Sequence, residues 1–236
     1  MKISYKAGPV SGPQRNDSTT PPDTPRRAIQ HRNYRTHRWS IALDGQVVRF
    51  TRPVLPPDVL GNPLPWTEQD YLALGETTCR IELVDGGLLI GPPPAVRHQV
   101  IVGNLLAALR PGCATASLTP LPVINLRLEA GRILNPDLVV LTDLDFHALC
   151  VPAAAVQLVG EVTAPHTAAT DKVLKMHYYA AAGIEWYLLI DQESLAIHLY
   201  QRQGTHYVER SVTKAGEALE LTEPVRATIR PEDLLG

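Results

Sequence analysis

Residues 156–191 constrain the fold more than any other part of the chain. Two short apolar runs, "VQLVGEV" and "EWYLLID", flank "TDKVLKMHYYAAAG", which has helical spacing and ends on a glycine. A helix set between two apolar strands is a crossover, so the strands can lie parallel with a right-handed connection. Elsewhere the chain reads as hairpins. "CRIELVDGGLLIGPP" turns at Asp85-Gly86-Gly87, "LPVINLRLEAGRILNPDLVVLTD" near Ala130-Gly131, and "LAIHLYQRQGTHYVERSV" around Gly204. "TEQDYLAL" predicts a short helix capped by Thr67, with Asp70 closing a capping box. "VRHQVIVGNLLAALRPG" predicts a longer helix, with Val100, Ile101, Asn104, Leu105, Ala108 and Leu109 along one stripe and a stop at Pro111-Gly112. Hairpins mixed with one βαβ unit predict an α/β or α+β fold, a mixed central sheet flanked by helices.

The 236 residues suit one domain with extensions. Residues 1–37 are polar, proline-rich and basic, and are expected to form a disordered tail. Residues 38–65 read as a β-hairpin turning at Asp44-Gly45 and a linker, and residues 66–236 as the main domain. The net charge of −2 is unevenly spread: residues 1–40 carry eight basic and two acidic residues, and the remainder fourteen basic and twenty-two acidic. A basic arm on an acidic body is one way to meet a polyanion; a solvated tail is the other reading. No run of eighteen apolar residues is present to span a membrane, and the first residues lack the apolar core of a signal peptide. A cytoplasmic location is the expectation. Cys79, Cys113 and Cys150 are odd in number, far apart and without CxxC spacing, which argues against a disulfide framework or a zinc site and for small buried or half-buried thiols.

"GRILNPDLVVLTD", residues 131–143, reads as a strand buried on both sides, yet Asp137 stands in its middle. Burying an unpaired carboxylate costs on the order of 5 kcal/mol or more. Glu161 is placed the same way in the next apolar run. If their strands pair, the two carboxylates converge and repel unless a cation lies between them. Oxygen-only ligands suit Mg2+, Mn2+ or Ca2+ rather than zinc. The competing reading is a structural ion-pair network with Arg127 or Lys175. Phosphate chemistry on such a metal also wants a fixed positive charge. Lys172 and Lys175, three apart in the following helix, share one face that can return toward Glu161.

Three stretches together, "RIELVDGGLLIGPPPAVRHQVIVGNLLAALR", "ILNPDLVVL" and "VGEVTAPHTAATDKVLKMHYYAAAGIEWYLLID", resemble the Uma family of endonucleases. This is a bacterial group in the PD-(D/E)XK, restriction-endonuclease-like superfamily, and the resemblance runs from about Trp66 to Tyr207. It implies a restriction-endonuclease-like fold and a Mg2+- or Mn2+-dependent endonuclease acting on nucleic acid, with DNA as the expected substrate. Pro136-Asp137 matches the motif's PD, which makes Asp137 a metal ligand, and Glu161 matches its acidic partner. The superfamily's lysine two residues later is replaced by Thr163, and the family supplies its lysine from the helix in an Asp-x3-Lys pattern met by Asp171 and Lys175. Glu82 matches a glutamate that can join the metal, and His98 the histidine that opens the "RHQ" helix. Gly87 departs from the pattern, which usually has an acidic residue after the Asp-Gly turn. Related nuclease folds often pair, so a homodimer is an analogy-based expectation.

Each residue has a plainer alternative. A lysine placed like Lys175 is more often a solvated helix residue, and Lys172 competes with it for any catalytic role. Glu82, between Ile81 and Leu83, can face solvent in a half-buried strand. His98 can pack beside Ile101 and Leu105. Asp171 suits a helix N-terminus without chemistry. The contrasting function is a non-catalytic module that keeps the fold and binds nucleic acid or protein.

Overall fold

A computed structural model describes the backbone of residues 39–43 and 46–50, and residues 65–75, 77, 79–143, 145–163 and 174–236. The expected tail at 1–37, the Asp44-Gly45 turn, most of the linker, and Asp171 and Lys172 lie outside the described residues. The chain divides into two compact units, Met1–Arg52 and Pro53–Gly236. In the first, β1 (Trp39–Leu43) and β2 (Gln46–Phe50) pair antiparallel with Trp39 opposite Phe50.

The second unit opens with α1 (Glu68–Ala73), closed by the expected capping box: Asp70 N–H donates to the Thr67 hydroxyl at 3.1 Å and Thr67 N–H to the Asp70 carboxylate at 3.0 Å. Next come β3 (Arg80–Val84) and β4 (Gly87–Gly91). They are joined by the two-residue turn Asp85-Gly86, whose φ values of 52° and 79° are those of a primed hairpin turn. Helix α2 (Val96–Thr115) leads to β5 (Thr119–Pro122), β6 (Leu126–Glu129), β7 (Arg132–Leu134), β8 (Leu138–Leu141) and β9 (Val151–Pro152). Then follow β10 (Val156–Thr163), α3 (Met176–Ala181), β11 (Trp186–Asp191), β12 (Ile197–Gln203), β13 (His206–Thr213), β14 (Leu219–Leu221) and β15 (Ala227–Ile229).

Six strands form the main sheet in the order β13-β12-β11-β10-β8-β5, and five form a second in the order β4-β3-β7-β6-β9. In the main sheet β10 and β11 run parallel, as the βαβ pattern predicts, and the other pairs are antiparallel. Alternation along the strands gives each face of the main sheet its own core. Leu138, Val140, Leu158 and Leu188 pack with Ile101, Leu105 and Leu109 of α2. Val139, Leu141, Val159 and Leu189 pack with Tyr178 and Tyr179 of α3. Cover on both faces explains why these strands read as continuous apolar runs.

Two sequence expectations need correction. Residues 131–143 are not one strand: β7 belongs to the second sheet and β8 to the main sheet, and Asn135-Pro136-Asp137 carries the chain between them. Proline supplies no N–H to a ladder and holds the preceding residue extended, so it suits a crossing between sheets better than a strand interior. Helix α2, in turn, does not stop at Pro111-Gly112 but continues to Thr115. Pro111 forgoes one backbone hydrogen bond, and the extra turn carries Cys113 into full burial against the main-sheet core. Cys79 is likewise buried and Cys150 half-buried, and all three thiols are free.

Gly112 is required in that turn by close approach. A Cβ there would stand 2.2 Å from the Arg226 carbonyl oxygen and 3.0 Å from its carbon, both backbone atoms. Gly112→Ala is expected to cost about 1–3 kcal/mol through overpacking. A lower denaturant midpoint at unchanged m-value is the reading; an unaltered midpoint would show that the two backbones separate freely. Among the described residues no helix is long and apolar enough to cross a membrane.

Candidate active site

The candidate site lies where the two sheets meet. Leu138 of β8 pairs with Gly160 of β10, so Asp137 and Glu161 are the next residues out on adjacent strands. Glu161 shares the Val159 face, the one covered by α3. From the second sheet β3 presents Glu82, and Lys175 stands immediately before α3 in helical backbone (φ −66°, ψ −42°). His98 arrives from the first turn of α2. Every one of these side chains is buried. Glu82, His98, Asp137, Glu161 and Lys175 therefore converge from five elements far apart in the sequence.

Asp137 is held at both oxygens. Arg80 Nη1 donates to Oδ1 at 2.9 Å, Val162 N–H donates to Oδ2 at 2.8 Å, and His98 Nε2 lies 3.1 Å from Oδ2. Burial alone would raise the carboxyl's pKa. The Arg80 charge, the His98 contact and the more distant Lys175 outweigh it and hold the group well below the usual carboxylate range. Burial likewise opposes the Arg80 charge, and Asp137, Glu161 and Glu82 more than restore it.

Lys175 bridges the other two carboxylates, with Nζ 3.0 Å from Glu82 Oε1 and 3.2 Å from Glu161 Oε1. Tyr179 O–H donates to the same Glu161 oxygen at 2.7 Å, and Asn135 N–H to Glu82 Oε1 at 2.8 Å. Burial, followed by the Glu161 and Glu82 charges, pushes the Tyr179 hydroxyl well above its ordinary pKa, so it stays a donor. Behind Glu82, Asn135 Nδ2 donates to Asn125 Oδ1 at 2.9 Å, and Tyr71 O–H reaches the same oxygen at 2.8 Å. Thr163, two residues past Glu161, is buried and donates to the Ile190 carbonyl at 3.2 Å.

These contacts decide several alternatives. Glu82 does not face solvent, and Lys175 is not a solvated helix lysine. Arg127 does not serve Asp137 or Glu161; it pairs with Glu68 at 2.9 Å. Arg80, Tyr179 and Asn135 were not singled out from the sequence, although spacing carried a signal. Arg80 is two residues before Glu82, on the same strand face. Tyr179 is four after Lys175, on the same helix face. Tyr179→Phe, which removes only the hydroxyl, is expected to cost about 1–3 kcal/mol because it strips a donor from a buried carboxylate. Urea unfolding measures it, and a loss within error would mean that the Tyr179 hydroxyl adds nothing to holding Glu161.

The donor set fits a hard divalent cation in kind, with three carboxylates and no thiolate. As arranged, basic groups already engage those carboxylates, and among the described residues no three of His, Cys, Asp or Glu stand close enough together to hold an ion. An ion bound here would have to share carboxylate oxygens that Lys175 or Arg80 now engages.

A mixed sheet with acidic residues at the ends of adjacent strands, and a lysine brought back from the crossover helix, is a restriction-endonuclease-like architecture. The chain belongs to the Uma2 family, described as "Putative restriction endonuclease", which it matches over residues 68–231. Its fold is shared with the crystal structure of a "putative nuclease belonging to DUF820" from Anabaena variabilis. The two are 17% identical, and the match covers 72% of this chain and 98% of that one at a TM-score of 0.57. No curated protein matches the chain.

Proposed function

We propose that the chain is a Mg2+- or Mn2+-dependent endonuclease that hydrolyses phosphodiester bonds of DNA. The observation that carries this reading is the buried meeting of Glu82, Asp137, Glu161 and Lys175, four groups that a fold-preserving core does not need in one place. Membership of a nuclease family points the same way. Asp137 and Glu161 would hold the metal, with Glu82 as the further ligand. That ion supplies Lewis acidity toward the phosphate and a more acidic water.

The chain's own residues do the rest. Lys175 carries the positive charge that meets the developing charge of the transition state. Tyr179 and Lys175 fix the Glu161 carboxylate from one side. Val162 N–H and His98 fix Asp137, so neither ligand has to be ordered when substrate arrives. A non-catalytic module that keeps the fold is the second reading, favoured by the internal ion pairing that all three carboxylates already have.

Calorimetric titration with Mg2+ and Mn2+, followed by incubation with linear and circular duplex DNA, separates the two. The enzyme reading expects metal binding and metal-dependent cutting of the circular form. Metal binding without cutting of DNA or RNA would select the module.

A further inference from the structure

We propose that the free edge of the Arg80 guanidinium is an oxyanion seat that takes two oxygens of a phosphate group. The inference rests on the nuclease reading for one thing only, that the phosphate is a diester of the substrate backbone. Arg80 uses one nitrogen, Nη1, on Asp137. Its Nε and Nη2 are buried and have no partner. These two N–H groups lie side by side on one edge of the planar group and point the same way, the fork that matches two oxygens of a phosphate. The Nε atoms of Arg132 and Arg202 are also buried without a hydrogen bond, but their Nη2 atoms pair with Asp85 and Glu185, and Arg127 Nε faces Glu68 at 2.9 Å. Among the described residues Arg80 alone has both nitrogens of a buried edge open.

An unmet donor on a buried charged group is costly, more so than on a neutral one. Two on one edge form a standing deficit that a bidentate anion removes. The position also fits. The Arg80 side chain is 24% exposed, against 3% for Asp137, 6% for Lys175, 9% for Glu82 and 1% for Glu161. Arg80 is thus the member of this cluster nearest to solvent, although Nε and Nη2 themselves are covered and the exposed surface belongs to the rest of the side chain. Asp137 anchors Nη1 and so fixes the plane of the fork beside the carboxylates. A phosphate seated there shares the Arg80 charge with Asp137.

The test compares the full chain with Arg80→Lys, which keeps a cation beside Asp137 and loses the fork. The probe is inorganic phosphate against chloride at equal ionic strength, read as Tm. A ligand of the native state raises Tm, and comparing the two proteins cancels the general stabilising effect of phosphate salts. Arg80→Lys is expected to bind phosphate at least tenfold more weakly; equal apparent affinities overturn the seat. Should that variant not fold, wild type labelled with 15N-arginine gives the answer alone. One buried Nε–H signal must shift and exchange more slowly as phosphate is added, and an unmoved spectrum overturns the proposal. Dimethyl phosphate identifies the source: protection by this diester supports a backbone seat, and protection by inorganic phosphate alone overturns that assignment. In Mg2+-dependent cleavage of duplex DNA, Arg80→Lys is expected to lower kcat/KM at least tenfold, and an unchanged value counts against the seat. If wild type cuts nothing, the nuclease reading fails while Tm and the Nε–H signal still judge the seat.

Discussion

Lys175→Ala is expected to lose cleavage on the order of a hundredfold or more, as for removal of a group that meets transition-state charge. The same change is expected to cost about 3–5 kcal/mol of stability, because it leaves buried carboxylates without their shared cation. Sequence reasoning alone, with Lys175 as a solvated helix residue, foresees only the first effect. The bridge to Glu82 and Glu161 adds the second. A divalent ion can replace the lost charge, so Mg2+ should raise the Tm of Lys175→Ala more than that of wild type. Equal shifts in the two proteins would show that the ion does not enter between Glu82 and Glu161. Lys172→Ala is the control; if it loses cleavage while Lys175→Ala cuts normally, the lysine has been assigned to the wrong position.

Asp137→Asn should abolish Mg2+ binding in calorimetry and cost about 3–5 kcal/mol, by stranding the Arg80 charge in the interior. The amide keeps the side chain's shape, so the loss reports charge rather than a cavity. A pH dependence follows with a definite sign. The folded carboxyl titrates below its ordinary value. Its contribution to stability is therefore present above about pH 4 and is lost as pH falls from there toward the folded value. The variant lacks this group, so between about pH 6 and about pH 3 its stability should fall less than that of wild type. Parallel curves would mean that other carboxylates dominate acid unfolding.

The parts of the fold that were legible in the sequence are those dictated by local rules. The Thr67-Asp70 box, the Asp85-Gly86 turn and the helix between two apolar runs each show in a few neighbouring residues. The site's carboxylates were legible for a related reason, since an acid in an apolar run demands a partner wherever the run is placed. What was hidden depends on tertiary placement. Nothing local tells that 131–143 serves two sheets, that Cys113 draws α2 past Pro111, or that Arg80 rather than Arg127 reaches Asp137. Resemblance to the Uma family brought in Glu82 and His98, and chose Lys175 over Lys172 where helical spacing had offered both.

The crossing at Asn135-Pro136-Asp137 has a consequence for how the molecule comes apart. Asn135 N–H holds Glu82 of one sheet, while two residues later Asp137 is held by Val162 N–H of the other. The cluster thus acts as a polar clasp between two β layers, fastened only when both are present. Neither layer can melt alone without exposing charges that the other had matched, so the two should unfold as one cooperative unit. Amide exchange at Asn135 and Val162 should then report the same opening energy, although the two residues lie in different layers. A nick or local loosening in either layer takes the whole cluster apart at once, so a half-folded chain lacks the candidate site.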